Sequence, residues 1–266
     1  MSELERRPAI SLSNGRRIHY TAHDWDAVLS TSVSVNGSKW PVGNAMKHAR
    51  DLQATALHDF EKAGKALVDI QGNRDLTDAA KQRMSKEALD QFAENVEKHR
   101  KALAESMQSI ADSAKSHFQP VKALDKGDAV GVAMDAELRS IVRGLDAKER
   151  MTLINEAKLG NHPELTAALL RAPALATGLT QQTLDSLRNA GIASAYGSEI
   201  MALRNLVVGV HDDVIRTTNH AAETLEGISK VNHPTLTRLG KDTASDLRGW
   251  IGELPMHRMQ VEKEAA

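Results

Sequence analysis

Apolar positions recur along this chain in two different rhythms. From Met46 onward they fall alternately four and three apart, at Ala49, Gln53, Ala56, Phe60, Ala63, Leu67 and Ile70. That is a heptad-like seam, the spacing that keeps one narrow helical face against a neighbouring helix. Leu52 and Leu57 widen the stripe toward a globular core face. Gly72-Asn73 breaks it, and Asp75 or Thr77 supplies a cap for the next helix. This second helix carries Met84, Leu89, Phe92, Val96, Leu103, Met107, Ile110, Ala114 and Phe118, with Ser85 as an early polar interruption. At 1.5 Å per residue the two helices measure about 40 and 60 Å, long for a compact domain of this size. The pattern predicts an all-α, elongated helical bundle organised on a long antiparallel helical hairpin over residues 43–120.

Residues 1–42 follow the other rhythm. Alternating positions flank Asn14-Gly15 and again Asn36-Gly37, the dipeptide that most readily takes the positive φ angles of a type I′ turn. The reading is a short N-terminal arm, partly β or extended, with β-hairpins. An isolated hairpin is marginal in water, so the arm has to pack on its own helical body or on another subunit.

Residues 121–252 read as further helices packed on the hairpin. Asp128–Gly144 presents Val130, Val132, Leu138, Ile141 and Val142 as its apolar side. Asp146 and Glu149 make a capping box, Gly160 sits where a left-handed residue ends a helix, and Pro163 opens the next. Thr180 caps a stretch reaching Ile228, in which Gly191, Gly197 and Gly209 mark ends or close approaches. Pro234 opens the last stripe, with Leu236, Leu239, Leu247, Trp250 and Ile251. Residues 253–266 form a polar tail.

Composition agrees with a helical body. Aromatic residues make up 3% of the 266 residues, too few for the cross-strand pairs that sheets rely on. The net charge of -1 supplies no global basic field, which speaks against nucleic acid as a partner. Around His99-Arg100-Lys101 the positive charges alternate with acids, the mark of a solvated face. There is no cysteine, so thiolate metal sites and thiol nucleophiles are absent. No stretch resembles a signal peptide or a membrane span, so a cytoplasmic location is expected.

Chemistry is hard to find. His211, Asp212, Asp213 and His220 invite a metal reading, but neighbours one and two apart point to different helix faces, so these read as solvated or capping side chains. Residues 191–198 are rich in small side chains yet lack the lysine and the preceding strand of a phosphate loop; close packing around Tyr196 is the expectation. No serine sits in a nucleophile elbow. Catalytic, cofactor and metal sites are all expected to be absent. Tyr20, Trp25 and Trp40 remain as candidate partner contacts, because aromatic side chains dominate interface hot spots.

Residues His162–Leu179 (HPELTAALLRAPALATGL) resemble a stretch in uncharacterised helix-rich proteins of tailed-bacteriophage structural gene clusters. The resemblance covers under a tenth of the chain and carries over no site residue. It implies a virion or morphogenesis component, present in the host cytoplasm during assembly and then in the virion. The resulting expectation is a non-enzymatic structural or assembly protein, homo-oligomeric and in contact with other phage structural proteins. The alternative is a monomeric adaptor or effector that binds one protein partner along the hairpin.

Overall fold

A computed structural model describes residues 8–35, 37–238 and 244–255. It is an all-α protein with two small antiparallel sheets of two strands each. The contacts divide the chain into two compact units. One holds the described residues up to Asp112 together with Ala202–Arg248; the other holds Ser113–Met201 and the described residues from Gly249.

The first unit is built on three helices. A 3-10 turn, Val42–Met46, leads into α2 (Lys47–Gly72), following the short α1 (Trp25–Ser30). Every residue of the predicted seam in α2 is buried, and Leu52 with it. Then α3 (Asp78–His117) returns antiparallel, capped by Thr77, whose hydroxyl accepts from the Ala80 amide at 3.2 Å. The pairing is read from its cross-links: Asn95 donates to Asp59 at 2.7 Å, Lys62 to Gln91 at 3.4 Å and Gln71 to Ser85 at 3.2 Å. Ser85 does not interrupt α3; it is buried in the seam as the acceptor for Gln71.

The third helix comes from far along the chain. α10 (Asp212–Ser229) packs along α2, and Asn219 accepts from Arg100 of α3 at 2.8 Å. Arg100 is therefore buried, not part of a solvated basic face. Its position, four after Val96 and three before Leu103, is a seam position. Burial pushes its guanidinium down to about 10, and the charge is retained at neutral pH.

The N-terminal arm packs on this bundle. Strand β1 (Ala9–Ser11) pairs antiparallel with β2 (Arg17–His19), and β3 (Val33–Val35) with β4 (Ser38–Trp40). In the first hairpin only Gly15 takes a positive φ, +80°, while the Asn14 side chain accepts from the Arg16 amide. The connection is thus a three-residue loop and not the two-residue type I′ turn; Asn36, in the second, lies outside the described residues. Ile18 is fully buried, β1 lies on α2 and β2 on α10. Gln53, the polar member of the α2 seam, donates to the Thr21 carbonyl at 3.0 Å.

The second unit gathers α4 (Ala129–Gly144), α5 (Ala147–Lys158), α6 (Pro163–Leu170), α7 (Ala174–Thr177) and α8 (Gln181–Ala195). Val142, Ile154, Leu165, Leu169, Leu184 and Leu187 form its core. The end signals fall where expected: Asp146 and Glu149 close a capping box, Gly160 has φ +89°, Pro163 opens α6, and Thr180 accepts from the Thr183 amide. Tyr196 is buried, stacks edge-on against Phe118 at 5.2 Å and donates its hydroxyl to the Gln119 carbonyl.

The apolar side expected for α4 is different. Val142 is buried, but Val130, Val132 and Ile141 face solvent and the acidic Asp135 lies inside. Arg139 and Arg171 stabilise the inward position of Asp135 by pairing with its carboxylate. The long helix expected from Thr180 to Ile228 divides: α8 ends at Ala195 with Tyr196 as its C-cap, α9 (Gly197–Arg204) comes next, and a π-helical segment (Asn205–His211) precedes α10. Short α11 (Pro234–Arg238) and α12 (Ser245–Gly252) complete the described chain. Leu239 and the polar tail from residue 256 lie outside the described residues.

Candidate functional site

In the first unit, a cleft of about 650 Å³ opens where the end of β2, the head of α10 and Arg248 of α12 meet. A π-helical segment leads into α10 at its edge. The Asp212 amide bonds to the Val207 carbonyl, five residues back, so the helix carries one residue more per turn there and its faces rotate. His211, expected at the surface, is turned inward and is 1% exposed, with its Nδ1 3.0 Å from Asp212 Oδ1. Asp212 also accepts from Arg248 at 2.5 Å, and Asp213 from Arg216 at 3.0 Å. His19, Tyr20, His220 and Glu223 line the same space.

The cleft thus unites His211 and His220 with residues nearly two hundred positions earlier, which no local pattern reveals. Asp212 and Asp213 are nonetheless engaged by arginines, and Thr217 donates its hydroxyl to the Asp213 carbonyl. Among the described residues no three His, Asp or Glu side chains converge as a metal site. The arrangement is a hydrogen-bonded clasp joining α10 and α12.

His23 stands close enough to Asp213 to feel its charge, yet burial outweighs that attraction and lowers the ring below its ordinary 6.5. The unfolded chain takes up this proton near 6.5 while the folded one resists, so stability is lost as pH falls through that value. Nε2 of His23 is buried without a hydrogen-bond partner among the described residues. We expect His23→Phe to keep the edge-on ring contact with Trp25 (5.2 Å between centroids) and to flatten the acid side of the stability curve, measured as urea midpoints on either side of about pH 6.5.

The aromatic candidates divide. Tyr20 lines the cleft, Trp25 packs on His23, and Trp40 of β4, paired with Val33, does not line it; all three are half-buried.

The second unit has two further features. One face of α4 presents Val130, Met134 and Ile141, spaced by four and seven residues, exposed to 71%, 51% and 52%. On another side of the same helix, Val132, Asp135 and Arg139 face a cleft of about 590 Å³ whose apolar walls are Pro120, Leu124, Val132, Leu170 and Pro173. Three arginines enter it. Arg171 Nη1 donates to both oxygens of Asp135, at 3.1 and 3.2 Å, and its Nε to the Lys122 carbonyl. Arg139 stands 3.9 Å from the same carboxylate and donates to the Ala168 carbonyl, while Arg188 pairs with Asp185 at 2.9 Å. Sequence reasoning misses these three; their only signal is arginine inside otherwise apolar helical segments.

Fold and sites together define an all-α protein whose concave surfaces are lined by paired charges. Compared with known proteins, the chain matches no family model, no curated protein and no solved structure.

Proposed function

We propose that this chain is a non-enzymatic structural or assembly protein that works as an oligomer, with the exposed face of α4 as a subunit contact. The observation that carries the reading is the row Val130, Met134 and Ile141. Three large apolar side chains in one row on a helix lose their hydration only against another surface, and each gains roughly 1–2 kcal/mol when its remaining exposed half or more is covered. The engagement of Asp212 by Arg248 and of Asp213 by Arg216 supports a non-catalytic role. The resemblance of residues His162–Leu179 supports placing that role in a tailed-phage virion or its morphogenesis, with phage structural proteins as partners and the host cytoplasm as the place of assembly. Among the described residues no helix is long and apolar enough to cross a membrane.

The adaptor alternative needs the hairpin seam free to clasp a partner. α10 already covers the α2 side of that seam, which favours the assembly reading. Light scattering tests it. The wild-type chain is expected at a multiple of 28.9 kDa, and Ile141→Glu at a single copy with an unchanged helical spectrum. A wild-type mass of one chain at every concentration would sink the proposal.

A further inference from the structure

The geometry points to the cleft of the second unit as a docking groove for a short acidic, apolar peptide segment of a partner protein. This deepens the reading of the chain as a protein-binding body and rests on it.

Charge is the first argument. Asp185 balances Arg188, but Arg139 and Arg171 share the single carboxylate of Asp135, leaving that cluster one positive charge in excess. The two guanidiniums are largely shielded, with side chains 18% and 25% exposed, and the surrounding walls are proline and aliphatic. A net charge in such surroundings lacks the compensation that water gives it. Nor are their donors used up. Arg139 commits only Nη1, and Arg171 only Nε and Nη1, to acceptors among the described residues. An incoming carboxylate would neutralise the cluster through charge-assisted hydrogen bonds.

The main chain is the second argument, and it distinguishes a peptide from a free acid. Val121, Ala123 and Leu124, which form one side of the cleft, lie in a segment that is neither helix nor strand. The amides of Val121, Ala123 and Leu124 donate to no group among the described residues. A ligand with its own carbonyls can add along such a segment, as peptides add to a sheet edge, while its apolar side chains enter the pocket between Leu124 and Leu170. Val132 lines the cleft and is 56% exposed, so the groove stays open to solvent along this side of α4 instead of closing as a small-molecule cavity.

Fluorescence anisotropy with the full-length chain tests the groove. The probe is a labelled peptide of alternating leucine and glutamate, and its leucine–lysine counterpart is the control. Saturable binding of the acidic peptide only is expected, about tenfold weaker for Arg139→Gln and for the rim variant Arg188→Glu. Ala123→Pro, which removes one of these amides, should weaken it several-fold, with helical content unchanged in each variant. Arg139→Lys should recover part of the loss. The proposal is overturned if neither peptide binds, if both bind alike, if binding ignores Arg188→Glu and Ala123→Pro, or if octanoate displaces the probe as well as unlabelled peptide does. Mass measured on the same samples separates the two readings. A monomer that still binds the acidic peptide removes the oligomer and keeps the groove, whereas an intact oligomer indifferent to the peptide removes the groove alone.

Discussion

Replacing Gly43 by alanine is expected to destabilise the first unit by about 3 kcal/mol, a large effect for a single methyl group. A Cβ at this position would lie 2.8 Å from the Leu29 carbonyl oxygen and 2.9 Å from the Thr31 nitrogen, and closer still to the Val28 carbonyl oxygen. All three are backbone atoms at the end of α1, so no side-chain rotation relieves the clash. The 3-10 turn and α1 must separate, and that movement strains the bond from the Gly43 amide to the Thr31 carbonyl, 2.8 Å in the native chain. Overpacking costs about 1–3 kcal/mol and a lost buried backbone bond about 1 kcal/mol more. Gly72→Ala is the matched control, because a Cβ there meets nothing within 4 Å and alanine favours the helix. Urea unfolding followed by helical signal should show a lower midpoint for Gly43→Ala and an equal or higher one for Gly72→Ala. Equal midpoints for Gly43→Ala and wild type would mean that α1 does not pack on this turn.

The contrast between Gly43 and the α2 seam shows what is legible in the sequence. Spacing alone places Ala49, Phe60 and Leu67 inside, because a helix repeats every 3.6 residues whatever its neighbours are. The same arithmetic places Gln53, Ser85 and Arg100 inside as well. Residue type points the other way for Arg100, since an arginine between histidine and lysine reads as solvated, and position wins. What spacing cannot supply is the acceptors that make these burials tolerable: the Thr21 carbonyl, which accepts from Gln53, and Asn219, which accepts from Arg100, belong to distant segments. The caps at Asp146, Gly160 and Pro163 are legible for the opposite reason, being closed within a few residues.

The α4 row departs from its expected burial for a physical reason. Periodicity identifies an apolar face but not the surface that covers it, and the core of the second unit takes Val142 while leaving Val130 and Ile141 out. The α10 cleft is hidden for another reason. Spacing does place His211 inside, four residues after Val207 and three before Val214, but a histidine beside two aspartates reads as solvated, and no local spacing brings β2 to it. Both clefts join residues far apart in sequence, and their chemistry exists only after folding.

Asp135→Ala should cost the second unit about 3 kcal/mol. The side chain is 9% exposed and is the single carboxylate that Arg139 and Arg171 share. Removing it leaves two like charges facing a methyl group between apolar walls, and breaking a buried ion pair from one side costs about 3–5 kcal/mol. The low end applies because both guanidiniums keep some contact with water and each retains a backbone acceptor, Ala168 for Arg139 and Lys122 for Arg171. Asp135→Asn, which keeps an acceptor but not the charge, should fall between wild type and alanine. Hydrogen exchange localises the loss: amides of α4 and α6 should open faster in Asp135→Ala, while those of α2 and α10 in the other unit keep their protection. Faster opening confined to α2, or none anywhere, would show that the charge cluster does not hold the second unit together. The proposed groove would then lose the preformed cationic wall on which its selectivity for acidic peptides depends.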